Sequence, residues 1–154
     1  MLEIGEKAFD ASSGSPTLKY FEFPNSVTSI GNNAFKNQAY LTTAMLPEGL
    51  VEIGSYAFAA CPSLRITNFG HNITKIGSSA FSSSIAVSSL TFGDSVVEIG
   101  DYAFSSYLTP YTSPAGLGLT TIMIGRGIKK IGPHTFDSRN SSNTNFETIQ
   151  TIEL

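Results

Sequence analysis

Tryptophan is absent, cysteine occurs once, histidine twice, and charged residues make up only 14% of the 154-residue chain. Each shortage excludes something. A lone cysteine, Cys61, permits neither an internal disulfide nor a cysteine-rich zinc site. Charged residues usually make up about a quarter of a soluble protein. Here the net charge is −3 and no basic run exceeds Lys129-Lys130, which argues against a nucleic-acid-binding surface. No apolar run approaches the roughly 20 residues of a membrane span, so no membrane insertion is expected of this segment. The opening MLEIGEKAF has no basic stretch leading into an apolar one and does not read as a secretory leader, which leaves the compartment open.

What is present is serine, threonine and asparagine in place of charge, with 11 Phe and 6 Tyr, far too many for a disordered chain. The apolar residues are written as a repeat. Ile-Gly-x-x-Ala-Phe begins at Ile4, Ile30, Ile53, Ile76 and Ile99, and at Ile131 it reads Ile-Gly-x-x-Thr-Phe. The spacings are 26, 23, 23, 23 and 32, a basic period of 23 with insertions near residues 10–15 and 105–118; a third insertion lies near 137–145. Twelve residues before the last five isoleucines stand Leu18, Leu41, Leu64, Val87 and Leu119. Apolar residues recur three and five positions after each of these anchors, alternating with polar ones as a short half-buried strand requires. Pro24, Pro47, Gly70, Gly93 or Gly125 then ends the strand in a turn. After the repeated isoleucine, glycine is expected to permit a tight bend and Ala-Phe to begin a short helical turn or arc. One such coil cannot bury its own apolar edge, so stability requires neighbours stacked in register.

The unit LTTAMLPEGLVEIGSYAFAAC, Leu41 to Cys61, closely resembles the phrase of the BspA-type leucine-rich repeat family, and the resemblance extends over essentially the whole chain. Other units depart from it. Gln38 and Ser84 stand where Cys61 stands, Thr135 replaces alanine, and glycine replaces proline in three turns. The resemblance implies an α/β repeat solenoid, a right-handed leucine-rich repeat superhelix with a parallel sheet of short strands on its concave face and short helical turns or arcs elsewhere. Residues 1–154 are then one domain of about six coils. The chain opens within a repeat and closes part-way through another. The expectation is a segment of a longer array; the alternative is end-to-end association of bare coils. The family further implies a surface or secreted protein that adheres to host or neighbouring cells.

In a solenoid, equivalent residues lie about 4.8 Å apart down a parallel sheet, so the repeat can be read in columns. The residue before the isoleucine gives Ser29, Glu52, Lys75, Glu98 and Lys130, a surface ladder of alternating sign that is expected to keep register. The turn column gives Asn25, Glu48, His71, Asp94 and Arg126. Glu48, His71 and Asp94 form a weak candidate for a divalent metal, set against the expectation of a solvated polar column. Outward strand positions offer a better surface: Tyr20, Glu22, Met45, Ile66, Asn68 and Met123, apolar groups among small polar ones, suit protein recognition. Tyr107 and Tyr111, with Pro110 and Pro114, make the longest insertion an aromatic loop and a second candidate. Cys61 is expected to be a buried small hydrophobe.

Neither His71 nor His134 has a nucleophile fixed by spacing, and no phosphate-binding glycine loop is present, so no catalytic residue and no cofactor is assigned. The expected function is a non-enzymatic interaction or adhesion module that binds a protein or glycan; the alternative is a structural spacer without its own ligand.

Overall fold

The computed structural model describes residues 1–66, 68–84, 89–105 and 121–137, together with the backbone of residues 151–153. The chain is a parallel-sheet β-solenoid. Its first wall carries the repeated isoleucines: β1 (Leu2–Ile4), β3 (Val27–Ile30), β5 (Glu52–Ile53), β6 (Lys75–Ile76), β8 (Glu98–Ile99) and β10 (Lys130–Ile131). They form one six-stranded parallel sheet in the order β1-β3-β5-β6-β8-β10. The second wall is built at the expected strand positions but is split. β2 (Tyr20–Glu22) pairs with β4 (Thr43–Met45), while β7 (Ser89–Thr91), β9 (Thr121–Met123) and β11 (Thr151–Glu153) form a separate three-stranded sheet.

No helix occurs among the described residues, and the expected helical turns are replaced by tight turns with a hydrogen-bonding reason. In the third coil side, N–H groups alternate in use. Asn33, Phe35 and Asn37 donate to Ser55, Ala57 and Ala59 of the next coil at 2.9, 2.7 and 2.8 Å. Ala34 and Lys36, in between, close turns onto Gly31 and Asn33. A helix would direct every N–H to its own i−4 carbonyl and leave none for the neighbour. The alternation needs a left-handed residue, and Lys7, Asn33, Tyr56, Ser79, Tyr102 and His134 all occupy it with φ of 55–58°. Only asparagine among these adopts that region readily; the others cost about 1–2 kcal/mol each, held by the stacked backbone.

The repeated glycine also has a different reason from the one expected. It carries no positive φ; instead, a Cβ on Gly31, Gly54, Gly77 or Gly100 would meet backbone of the preceding coil at 2.5–2.8 Å. Glycine is there because the coil before it leaves no room for a side chain.

Between the walls lies an aromatic core. Phe9, Phe35, Phe58, Phe81, Phe104 and Phe136 stack ring on ring with centroids 5.0, 5.1, 5.2, 5.2 and 5.7 Å apart and planes within 15° of parallel. The spacing is that of the coils, wide enough for offset stacking. Phe69 and Phe92 from the second wall meet this column edge-on, at 75° to Phe81 and 66° to Phe104. The repeated isoleucines and alanines close the remaining space and are almost fully buried over the central coils.

Candidate functional site

The second wall exposes large apolar side chains where strand alternation directs them outward. Tyr20 and Met45 are each 72% exposed and Met123 is 43% exposed. Tyr20 lies opposite Thr43, and Met45 opposite Glu22, so β2 and β4 present one patch of mixed polarity. Met123 lies opposite Thr91, whose hydroxyl approaches its sulfur at 3.8 Å.

Ile66 does not join this row. It is only 5% exposed and sits in the core cluster with Leu64 and Phe69, correcting its expected outward position. The reason is local. Among the described residues of the segment none lies in a named strand; an isolated bridge, Asn68 to Thr91, links it to the sheet. Freed from strict alternation, the chain turns Ile66 inward, and burying that side chain favours the arrangement by about 1.5–3 kcal/mol. Asn68 remains exposed, and its Oδ1 accepts the N–H of Gly70 at 2.8 Å, fixing the turn where Gly70 takes φ of 64°.

Where the wall is split, a cavity of about 640 Å³ opens between β4 and residues of the next coil. Met45, Arg65, Asn68, His71 and Glu48 are among its lining residues, and Ile66 forms part of its floor. The groove thus joins the sheet face to the turn column, two features that the sequence columns kept apart. Arg65, also on the lining, was not singled out by sequence; the only signal was an isoleucine at an outward position followed by glycine in place of proline.

The turn column does not assemble a metal site. Asp94 Oδ1 accepts the backbone N–H of Arg126 at 2.9 Å, and Asn72 Nδ2 donates to the Glu48 carbonyl at 2.8 Å. Glu48, His71 and Asp94 are all exposed, and among the described residues no group of three His, Cys, Asp or Glu side chains is placed to hold a metal ion. Tyr107 and Tyr111 lie outside the described residues. Of the insertion near 10–15, Ser12 is tied down: its hydroxyl accepts from Asn37 Nδ2 at 2.7 Å and donates to Asp10.

His134 is likewise engaged locally, its Nδ1 3.2 Å from Asp137 Oδ2 and its ring stacked on Tyr102 at 4.8 Å. Along the first wall the charge ladder is in register: Glu52 opposes Lys75, Lys75 opposes Glu98, and Glu98 opposes Lys130. Lys75 Nζ lies 3.5 Å from Glu52, and Lys130 Nζ 2.6 Å from Glu98. The Lys130 hydrogen bond and charge hold Glu98 below its ordinary carboxylate pKa, and Glu98 in turn raises Lys130.

No helix among the described residues is long and apolar enough to cross a membrane. No match is found among curated protein sequences. Among solved structures, the chain is similar to a leucine rich cell surface protein from Faecalibacterium prausnitzii A2-165, with 25% identity and a TM-score of 0.55 over 84% of this chain and 38% of that one. A leucine-rich repeat protein from Bacteroides ovatus is 25% identical, with a TM-score of 0.66 over 88% of this chain and 38% of its own. The pneumococcal vaccine antigen PcpA, at 21% identity and a TM-score of 0.62 over 88% of this chain and 33% of its own, shares the fold. The chain therefore spans well under half the length of each of these proteins. Residues 1–109 match the BspA type leucine rich repeat region in six copies, and the chain belongs to that family.

Proposed function

We propose that the chain is a non-enzymatic protein-interaction module of a surface or secreted protein, and that it binds a protein or glycan ligand on host or neighbouring cells through its second wall. The observation that carries this reading is the cavity of about 640 Å³ beside β4, bordered by exposed Met45 and continued across β2 by Tyr20 and Glu22. Exposed apolar side chains beside a preformed groove are what a macromolecular partner covers. The chain's low charged content and net charge of −3 suit such a ligand better than a polyanion. The likeness to a leucine rich cell surface protein, and a chain that spans only 38% of its length, support a place within a larger array.

The test is binding of the folded chain to immobilised extracellular-matrix proteins, plasma proteins and glycans. Saturable binding that is lost in Tyr20→Ala and Met45→Ser, with unchanged melting temperature, supports the module. A well-folded chain that binds nothing on such a panel makes this segment a spacer.

A further inference from the structure

The two walls use charge differently. On the first, Lys75 and Lys130 each lie beside a glutamate, Glu52 and Glu98, at 3.5 and 2.6 Å. On the second, the charges that border the groove stand apart, Arg65 at one end and Glu48 at the other. Backbone contacts fix both places. The Arg65 N–H donates to the Thr42 carbonyl at 3.2 Å, which sets Arg65 beside the residue that precedes β4. Glu48 lies beyond the end of β4, its carbonyl held by Asn72 Nδ2 at 2.8 Å. The run from 42 to 48 spans about 20 Å when extended, too far for the two side chains to pair. Among the described residues neither makes a hydrogen bond or an ion pair through its side chain.

Lys19 reinforces the positive end. Thr42 donates its N–H and its hydroxyl to the Lys19 carbonyl, both at 2.9 Å, so Lys19 and Arg65 stand in one column with Thr42 between them. All three residues are exposed. Between the two ends the groove is aliphatic, with Ile66 and Ile73 buried beneath it and the Met45 side chain exposed at its rim. The aromatic side chain on the lining, Phe69, is wholly buried and offers no face on which a sugar ring could stack. Among the described residues β4 is also the last strand of its two-stranded sheet, so an extended chain can run beside it.

On the reading proposed above, that the second wall binds a macromolecule, we infer that the occupant of this groove is an extended segment of a protein partner, with an aspartate or glutamate over Arg65, a lysine or arginine over Glu48, and apolar residues between. Opposite charges at the two ends set the direction in which the segment lies, and the aliphatic floor takes the side chains between them. A span of about 20 Å places the acid and the base roughly four to six residues apart in an extended chain, once the reach of their side chains is allowed for. A polyanion is repelled at Glu48 and a polycation at Arg65 and Lys19, so neither fits.

Selection of a displayed library of random short peptides on the folded chain tests this. The expected result is enrichment of sequences that hold Asp or Glu roughly four to six positions from Lys or Arg, with apolar residues between. Arg65→Glu and Glu48→Lys each lower affinity for an enriched peptide about tenfold at low salt, less at high salt, and leave the melting temperature unchanged. The double variant, Arg65→Glu with Glu48→Lys, regains binding to the peptide in which acid and base are exchanged. Enriched peptides without the acid–base pair, affinity that neither charge reversal changes, or no enrichment at all overturns the inference; so does a chain that retains only acidic glycans. If a matrix or plasma protein binds, and Tyr20→Ala and Met45→Ser abolish it while Arg65→Glu and Glu48→Lys do not, the second wall is a binding surface and the assignment of its occupant falls. If neither panel nor library yields binding, both fall.

Discussion

Cys61 Sγ donates to the carbonyl of Phe35 in the preceding coil at 3.1 Å. The same contact recurs with different chemistry: Gln38 Nε2 donates to the Phe9 carbonyl at 2.6 Å, and Ser84 Oγ to the Phe58 carbonyl. Thiol, amide and hydroxyl thus serve one backbone acceptor, which makes this position a donor site and not simply a small apolar one. Gln38 fills it least well, since its Oε1 is buried without a partner.

Cys61→Ser keeps a donor and is expected to change stability by less than about 1 kcal/mol, whereas Cys61→Val, of similar shape but without one, loses about 1–3 kcal/mol by stranding a buried carbonyl. Urea unfolding of the two variants checks this. Equal losses would show that volume, and not donation, governs the position.

Burial pushes the Cys61 thiol up to about 12 from an ordinary 9.0, outweighing a backbone hydrogen bond from Gln38 that acts the other way. The folded state therefore holds the thiol proton more tightly than the unfolded state. This contribution is fully present below pH 9.0 and is lost as pH rises towards about 12. Between those limits the native chain is expected to lose more stability than Cys61→Ser does. At neutral pH a thiol-specific reagent should label Cys61 only as fast as the protein opens; rapid labelling of native protein would contradict the burial.

Gly77→Ala places a methyl group 2.5 Å from the Ser55 nitrogen and is expected to destabilise by about 1–3 kcal/mol as the coils are forced apart. Gly5→Ala, with open space around it, should leave monomer stability within about 0.5 kcal/mol of the parent. Thermal unfolding of dilute samples separates the two. Equal losses would mean that backbone entropy, not crowding, explains the column.

Lys75→Glu sets three glutamates in register at 52, 75 and 98 and is expected to lower stability, most at low salt. Reversing all four charges, Glu52, Lys75, Glu98 and Lys130, should restore it; additive losses would rule out a ladder. The sign of the pH effect follows from the Glu98–Lys130 pair. Glu98 is depressed, so its contribution is present above 4.5 and lost as pH falls through its folded value; Lys130 is raised, so its contribution is present below 10.5 and lost as pH rises through its folded value. The stability difference between parent and Lys130→Met should fade on both sides of that window.

The repeat, its core positions and the ladder were legible because each is a column of like residues at a fixed period. Phe35, Phe58 and Phe81 are fully or almost fully buried, and Glu52, Lys75 and Glu98 stand in register, as the spacing predicts. The first wall was not legible. Glu52–Ile53 and Lys75–Ile76 are strands of two residues, too short for any local alternation, and only pairing with the next coil makes them a sheet. The left-handed residues were hidden for a similar reason: lysine, tyrosine, serine and histidine share that position although none favours it, so stacking overrides local preference. Of the candidate surface, Tyr20, Met45 and Met123 were found by alternation, which failed at Ile66, whose segment has no described residue in a named strand.

The alternating ladder also gives the array a parity. Removing the single 23-residue coil that carries Lys75 would bring Glu52 against Glu98, two like charges on adjacent strands. Removing the coils of Glu52 and Lys75 together would bring Ser29 against Glu98 and leave no such clash. Loss of the Lys75 coil or of the Glu98 coil alone thus sets like charges side by side, whereas loss of the two together leaves Glu52 against Lys130, an opposite pair.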